Sequence, residues 1–275
     1  MLVTKLDGTL EEFEPQKLAD SLRRAGAAED VVQSIVSHIE KEVAEGMTTS
    51  HIYKQALHML RKTTHAPVAA RYSLRRAILE LGPSGYPFEQ LLGEVLRSKG
   101  YKIDVGATLR GKCVTHEIDV VAQNDKELIL VEAKFHNAQG FKTDVKVALY
   151  IHARMLDLRD NHYDNLCPPG GTCSSWLVTN TKFTENAIAY GKCAGMHLIG
   201  WGYPHHGHLE QLIEETKLHP LSCLTTLSQK ERQIMYQRGI VLCKDVTQNP
   251  NVLESVGVTG KKVDAVLQEA RRLCV

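Results

Sequence analysis

Apolar residues recur every three or four positions through most of the first 81 residues, the spacing that places them on one face of a helix. Four helices are predicted here, over about residues 17–25, over 31–43, from a cap at 48–50 through Leu60, and over 67–81. Ahead of them, two short apolar runs flank Asp7-Gly8, a pair that favours a tight turn, so residues 2–13 are predicted to form a β-hairpin. The start of the chain is therefore predicted to be a hairpin followed by a helical module.

A different pattern begins after Gly82-Pro83-Ser84-Gly85, a sequence that breaks helices. One amphipathic helix over residues 88–99 precedes several runs whose composition and alternation are typical of strands. Strands are predicted over residues 101–105, 114–122, 128–135, 175–178 and 197–201, with further helices over about 142–158 and 184–193. Beyond Pro220 the pattern again predicts short helices.

These patterns predict a multi-domain α/β chain. We expect a mainly helical domain with a short β-hairpin over residues 1–84, an α/β domain with a mixed central sheet over 85–222, and a helical region over 223–275. The length of 275 residues suits this division, since a domain commonly holds about 100–200 residues.

Composition and charge narrow the class of protein. Hydrophobic residues make up 43% and charged residues 24% of the chain, which excludes wholesale disorder and a collagen-like fibre. No apolar run approaches the roughly 20 residues that span a bilayer, and residues 1–10 lack the apolar segment of a signal peptide, so we expect a cytoplasmic protein without a membrane partner. The 33 Lys and Arg residues nearly balance the 32 Asp and Glu residues, so a nucleic-acid site must come from a local patch.

The seven cysteines include no C-x-x-C pair, and an odd number is a poor match to a disulfide framework, so reduced thiols are expected. The alternative is a zinc cluster, whose candidate ligands are Cys167, Cys173, Cys193, His205, His206 and His208. Their spacing matches none of the compact zinc motifs, which favours a surface loop with scattered thiols.

Two carboxylates and an ammonium group fall on the two strands that the turn at residues 124–127 predicts to pair. Glu132 and Lys134 project from one strand face because side chains alternate with a period of two, and a suitable register places Asp119 beside them. Hard oxygen ligands of this kind suit Mg²⁺, which lowers the pKa of a bound water and stabilises charge on a phosphate. Glu89, on the preceding helix, is a further candidate. The alternative is a solvated hairpin face with an ion pair between Glu132 and Lys134.

The segment that carries these residues resembles the PD-(D/E)xK nuclease core of Mrr-type restriction endonucleases and archaeal-type Holliday-junction resolvases. The resemblance spans about residues 88–158 and depends on the order of a helix with Glu, a strand that contains His116-Glu117-Ile118-Asp119, and the strand motif Val131-Glu132-Ala133-Lys134-Phe135. It implies catalytic roles for Glu89, Asp119, Glu132 and Lys134, Mg²⁺ or Mn²⁺ held by Asp119 and Glu132, and DNA as the partner.

The same resemblance suggests further candidate residues on the next helix and on the strand that carries Asp119. Lys146 or Tyr150 falls on the next helix, where related enzymes often keep a polar auxiliary residue. His116 is either a group that contacts phosphate near the site or an exposed strand histidine, and the second interpretation is favoured.

The first segment contains Val3-Thr4-Lys5-Leu6-Asp7-Gly8, Glu11, Phe13, Lys17-Leu18 and the loop at residues 45–50. With these residues it resembles the ATP-cone, the nucleotide-sensing module at the N-terminus of many ribonucleotide reductases. The resemblance implies that ATP or dATP is bound by Lys5, Glu11, Lys17 and Thr49, since lysines neutralise phosphates and Glu and Thr side chains form hydrogen bonds. The basic positions Arg71, Arg75 and Arg76 either add to this site or form a solvated helix face.

At the C-terminus, two short predicted helices are joined by Gly257-Val258-Thr259-Gly260. They resemble a helix-hairpin-helix, whose turn amides can hold a phosphate. An ordinary helical cap is the favoured alternative, because any hairpin of two helices uses Gly in its turn.

An ATP-cone followed by an Mrr-like nuclease fold, with the element Trp201-Gly202-Tyr203-Pro204, resembles a bacterial and archaeal family of such fusions. The leading hypothesis is a metal-dependent DNA endonuclease tuned by adenine nucleotide and acting as a homodimer that cuts both strands. One alternative is a catalytically idle nuclease fold that binds nucleic acid in response to nucleotide. A third, a structural partner of a nucleotide-metabolism enzyme, is supported by the ATP-cone alone. The complete set of Asp and Glu-x-Lys favours the first hypothesis over the second, and the long α/β insert disfavours the third.

Overall fold

The structure is a computed structural model that describes residues 1–5, 8–63, 66–138, 140–159 and 167–273. Asp7 of the predicted hairpin turn, with its neighbour Leu6, and Cys274 lie outside the described residues. Among the described helices, none has both the length and the apolar character that crossing a bilayer requires.

The N-terminal module is a hairpin followed by four helices, as its sequence pattern predicts. Strands β1 (Leu2–Thr4) and β2 (Leu10–Glu12) pair antiparallel. The helices are α1 (Pro15–Arg24), α2 (Glu29–Glu42), α3 (Thr49–Thr63) and α4 (Ala66–Leu79). The apolar residues of α1 to α3, with Ala69 of α4, form one cluster, in which Leu22, Val32, Ile35, Ile39 and Leu60 have no exposed surface. Burying each such side chain stabilises the module by about 1.5–3 kcal/mol. Leu74 and Ile78 of α4 instead join the core of the α/β domain.

The middle of the chain forms a five-stranded mixed sheet. Its strands are β3 (Lys102–Arg110), β4 (Thr115–Gln123), β5 (Glu127–Lys134), β7 (Thr172–Thr179) and β9 (His197–Ile199), in the order β3-β4-β5-β7-β9. The first three strands pair antiparallel and the last three pair parallel. β3 continues five residues beyond its predicted end at 105, because the alternation of half-buried and exposed residues runs on to Arg110.

One face of this sheet packs on α5 (Tyr86–Ser98), which reaches β4 and β5 through Phe88, Leu91 and Val95. Gly93 lets α5 approach β3 closely, since a Cβ there would lie 3.2 Å from Ile103 and Val105 side-chain carbons. The other face carries α6 (Val145–Leu158) and α7 (Glu185–Cys193). The sheet is therefore covered on both sides, as an α/β domain requires.

The start of α6 differs from the sequence prediction. Lys142–Thr143 forms a short strand, β6, that pairs parallel with β8 (Lys182–Phe183) instead of beginning the helix. Asp144 then caps α6, because its carboxylate accepts the backbone N–H groups of Lys146 and Val147.

The C-terminal region is helical and packs against both preceding parts. Its elements are α8 (Leu209–Thr216), a 3₁₀ turn (Leu221–Cys223), α9 (Gln229–Gln237), α10 (Cys243–Gln248), α11 (Asn251–Ser255) and α12 (Lys261–Leu273). Arg232 Nη2 lies 2.8 Å from Glu80 Oε2 at the end of α4, and Gln233 Nε2 donates to the Gly82 carbonyl at 3.0 Å. Gly82 thus lies within a packed joint between the helical module and the α/β domain.

The expectation of reduced thiols is wrong for one pair. Cys167 and Cys173 form a disulfide, with their Cα atoms 5.8 Å apart. Pro168 and Gly171 close a turn between them through a backbone hydrogen bond of 2.8 Å, which brings the two cysteines together locally. Cys193 is a free, exposed thiol, and the rings of His205 and His206 meet edge to face.

Candidate active site

Asp119 and Glu132 lie opposite one another where the paired part of β4 and β5 ends. The ladder runs from Gln123–Leu128 to Val120–Val131, so Asp119 is the next residue on its strand and Glu132 the next on its own. Asp119 Oδ2 accepts the backbone N–H of Ala133 at 2.6 Å. A carboxylate therefore takes the place of a backbone acceptor at this point and is held in the sheet.

Glu89 joins these carboxylates from the first turn of α5. Its neighbour Phe88 is fully buried and packs on Phe135, with ring centroids 5.6 Å apart, which fixes the start of α5 against the end of β5. Burial, followed by the negative charges of Asp119 and Glu117, raises the pKa of Glu89 to about 7.

Asp119 repels both Glu89 and Glu132, and all three carboxylates are half-buried. Burial and then the charge of Asp119 raise the pKa of Glu132 to about 7. The pKa of Asp119 is also raised by burial, although the Ala133 N–H and the charge of Arg154 oppose this. Lys134, exposed at the end of β5, lowers the pKa of both Asp119 and Glu132. Perturbed carboxylates of this kind cluster at functional sites more often than elsewhere.

Arg154 of α6 was not identified from the sequence. Its Nη1 lies 2.6 Å from Glu132 Oε2, its Nη2 donates to the Glu117 carbonyl, and its guanidinium lies 5.5 Å from the Tyr150 ring centroid. Of the two predicted auxiliary residues, Lys146 is exposed and Tyr150 reaches the site only through Arg154. The spacing of four residues places Tyr150 and Arg154 on one face of α6, and nothing in that spacing indicates a contact with Glu132.

His116 is not the exposed strand histidine that was favoured. Its side chain is 10% exposed, and its Nε2 lies 2.7 Å from Asp157 Oδ2 at the end of α6. Asp157 also accepts the backbone N–H groups of Cys113 and Val114, bonds that hold the pKa of this carboxyl well below its usual range. His116 therefore ties the β3–β4 turn to α6.

The donor set fits a divalent cation held through two carboxylates. Asp119 and Glu132 supply hard oxygen atoms, the ligands that Mg²⁺ and Mn²⁺ prefer. Burial raises the pKa of both groups by disfavouring their charged forms, which a bound cation would favour. Within the described part of the chain, no group of three or more His, Cys, Asp or Glu side chains could hold a metal ion. Water would complete the coordination, as is usual for Mg²⁺.

Three of the four predicted nucleotide-binding residues meet at the hairpin. Lys5 Nζ forms an ion pair with Glu11, and Lys17 Nζ lies 3.0 Å from Glu11 Oε1 and 2.9 Å from Glu14 Oε1. These lysines lower the pKa of Glu11. Thr49 begins α3 and lines a separate cleft.

Comparisons with known proteins find three family models along the chain. Residues 1–80 match the family model of the ATP cone domain, residues 82–200 that of a restriction endonuclease, and residues 219–274 that of the AF1548-like C-terminal domain. An uncharacterised protein of Archaeoglobus fulgidus is 33% identical over 183 residues, which cover 66% of this chain and 99% of that protein. The crystal structure of AF1548, a protein of unknown function, is similar with a TM-score of 0.57 at 33% identity, over 70% of this chain and 98% of that one.

Proposed function

Because this chain belongs to the AF1548-like family and carries an ATP-cone and a restriction endonuclease-like domain, we propose that it is a metal-dependent DNA endonuclease regulated by ATP or dATP. The observation that carries the proposal is the position of Asp119 opposite Glu132 at the end of the β4–β5 ladder, with Lys134 two residues further along β5 and Glu89 near enough to Asp119 for their charges to interact. Fold alone does not define function, so the proposal is supported by this site in particular.

Each residue has a distinct role in this proposal. Asp119 and Glu132 hold Mg²⁺ or Mn²⁺, which when bound lowers the pKa of a coordinated water and stabilises negative charge on the scissile phosphate. Lys134 Nζ donates hydrogen bonds to the attacking water or to a phosphate oxygen, and so offsets charge as the P–O bond breaks. Glu89, with a pKa of about 7, can take up or release a proton at its carboxylate near neutral pH.

A catalytically idle, nucleotide-responsive nucleic-acid-binding protein is the second candidate. The ion pair between Arg154 and Glu132 favours it, because a guanidinium group there competes with a metal ion for the same carboxylate oxygen. Arg154 would then neutralise the site permanently.

A cleavage assay separates the two candidates. We expect Mg²⁺-dependent cleavage of at least one of duplex, branched and single-stranded DNA, and a loss of about 100-fold or more in Glu132→Ala and in Lys134→Ala. Asp119→Ala should also lose divalent-ion binding. Glu127→Gln is the matched control, since this glutamate lies at the other end of β5 and bonds to Tyr101 and Ser174. Wild-type rates in Glu132→Ala would end the assignment, whereas DNA binding without cleavage in the wild type favours the idle protein.

Regulation requires a physical link between the two domains, whose boundary we place at residue 84. Gly82 lies so close to Asn137 Oδ1 that a Cβ has no room there, and a Cβ at Gly85 would lie 3.2 Å from Glu89 Oε1. The joint thus contacts Glu89 and the segment that follows Lys134. A change in the position of the ATP-cone would reach both sides of the catalytic site.

Cleavage of both strands of a duplex needs two such sites, so we also propose a homodimer. Light scattering at several protein concentrations, with and without ATP, measures the mass directly. A constant monomer mass in both conditions contradicts this part of the proposal.

A further inference from the structure

The strand that carries Glu132 and Lys134 continues into a pair of stacked rings. His136 lies two residues beyond Lys134, and its ring faces that of Phe141 with centroids 6.0 Å apart and ring planes 5° apart. Burial lowers the pKa of His136, and the nearby charge of Lys134 lowers it further. The Phe141 side chain is 62% exposed. A flat apolar ring is therefore open to solvent just beyond the catalytic end of β5.

Buried polar groups hold His136 in this position. Its backbone N–H donates to Asn180 Oδ1, and its carbonyl accepts a hydrogen bond from Asn180 Nδ2, both at 2.8 Å. The His136 Nε2 atom lies 3.0 Å from Thr143 Oγ1. Asn180 and Thr143 are both buried. The ring that stacks on Phe141 is thus fixed before any ligand arrives, which lowers the ordering cost of binding.

Two lysines lie side by side next to the stacked rings. Lys142 directly follows Phe141 and is the register partner of Lys182 in the parallel pairing of β6 with β8. Paired strands lie about 4.8 Å apart, so two exposed cationic side chains leave neighbouring positions on one sheet face. Within the described part of the chain, neither lysine has an ion pair or a side-chain hydrogen bond. Their mutual repulsion favours an anionic ligand, since an anion between them would offset both charges.

The rings and the lysines lie at the same edge of the sheet as the catalytic residues. Thr179, at the end of β7, is the register partner of Lys134 at the end of β5. The Thr143 hydroxyl of β6 donates to Thr179 Oγ1 at 3.1 Å, and β8 begins at Lys182, shortly after β7 ends. Ligands of such sheets bind beyond the carboxyl ends of the parallel strands, so a bound DNA strand would lie along this edge.

An aromatic ring beside free cations favours an unpaired nucleotide over a base pair. A duplex presents its phosphates outward but keeps the flat faces of its bases stacked inside the helix. In a single strand, a base can stack on an aromatic ring while the neighbouring phosphates contact lysines, the combination that single-strand binding sites use. Stacking accepts any base, because every base has a flat π face. This surface would therefore recognise the unpaired state of a strand and not its sequence.

We propose that the surface formed by Phe141, Lys142 and Lys182 binds an unpaired nucleotide beside the scissile phosphate, with the base stacked on Phe141 and the adjoining phosphates on the two lysines. The inference rests on the nuclease function proposed above and narrows its substrate to single-stranded DNA. A paired duplex and a four-way junction with fully paired arms are poorer ligands, because neither offers a free base to Phe141.

Fluorescence anisotropy of a labelled oligothymidine tests the two kinds of contact separately, on the full chain in EDTA, so that no metal-dependent cleavage occurs. Phe141→Ala should weaken binding about tenfold without changing its salt dependence, and Phe141→Tyr should retain the affinity. Lys142→Gln and Lys182→Gln should each weaken binding and lower the slope of log affinity against log salt by up to about 0.7, because fewer counterions are released. Lys126→Gln is the matched control, since this exposed lysine lies in the β4–β5 turn at the other end of the sheet.

A fluorescent base reports on the stack directly. We expect the emission of 2-aminopurine, placed within an oligothymidine, to fall when the strand binds the wild type and to stay unchanged with Phe141→Ala. The same base within a paired duplex should show no such change. Phe141 and the two lysines are exposed, so none of these variants removes a side chain from the core.

The outcomes separate this inference from the function on which it depends. Wild-type affinity of Phe141→Ala for oligothymidine, or equal affinity of the wild type for the single strand, the duplex and the paired junction, overturns the proposed surface. If Mg²⁺-dependent cleavage of duplex DNA is also unchanged in Phe141→Ala, the nuclease function stands without it. Binding of oligothymidine that depends on Phe141, without cleavage of any DNA, supports the surface and assigns it to the idle protein instead of a nuclease.

Discussion

Two groups of charges in this molecule are built in opposite ways. At the N-terminal hairpin, Glu11 is partly exposed and flanked by Lys5 and Lys17, which lower its pKa. In the α/β domain, Glu89 and Glu132 are half-buried, and their pKa values rise to about 7. The hairpin charges are thus satisfied by the protein itself, whereas the carboxylates of the α/β domain retain a repulsion that a cation would relieve. The comparison teaches that burial, more than the lack of a partner, sets the difference, because Glu132 keeps a raised pKa although Arg154 pairs with it.

The strongest test of this difference is the pH dependence of metal binding. Glu132 has a raised pKa, so below about pH 7 it is largely protonated, and a metal ion must displace that proton. We expect the affinity for Mn²⁺ or Mg²⁺ to rise about tenfold per pH unit for each displaced proton between pH 6 and 7, and to level off above that range. Calorimetry in two buffers of different ionisation enthalpy counts the released protons. An affinity that is constant from pH 6 to 8 would contradict the assignment of this site.

A smaller effect on cleavage should follow from removing Arg154, the cation that lies beside Glu132. Arg154 lowers the pKa of Glu132, so Arg154→Gln should raise that pKa further and move the pH–rate profile for cleavage to higher pH. A rise of one pKa unit would lower the deprotonated fraction at pH 7 by up to about tenfold. Arg154→Lys should restore part of the profile because the charge is retained. The control is Arg159→Gln, since Arg159 is exposed just beyond α6.

The result for Arg154→Gln also decides whether Arg154 supports or blocks the site. If this arginine only occupies a metal ligand, its removal should tighten metal binding and speed cleavage at every pH. If cleavage by Arg154→Gln is faster by the same factor at every pH, Arg154 does not act by setting the pKa of Glu132. That result would favour the idle protein, in which Arg154 occupies the place of the metal ion.

The sequence predicts the regular elements because their information is local. Periodic apolar residues define α1 to α4, and the alternation around Glu132 and Lys134 correctly predicts which strands carry the carboxylates. The start of α6 was misplaced, although Asp144 immediately before the apolar run is a residue typical of a helix cap. Arg154 could not be found in this way, because its contact with Glu132 depends on how α6 packs across β5.

The cysteines illustrate a different limit of sequence reasoning. An odd number of cysteines without paired motifs argues against a framework of several disulfides. It carries no information about a single local pair. The turn at residues 168–171 brings Cys167 and Cys173 together, which only the backbone conformation reveals.

The smallest expected effect concerns the hairpin charges in the absence of ligand. Exposed ion pairs contribute little to stability, so Lys17→Ala should leave the unfolding midpoint nearly unchanged. Saturating ATP, in contrast, should stabilise the wild type by linkage, by about 2.7 kcal/mol at 100 times Kd, if it binds as proposed. Lys17→Ala should reduce this ligand-induced rise in the midpoint, and Lys41→Ala, at an exposed position near the end of α2, should not. A full ATP-induced rise in Lys17→Ala would mean that the ligand is held elsewhere, and that the paired hairpin charges only stabilise the hairpin.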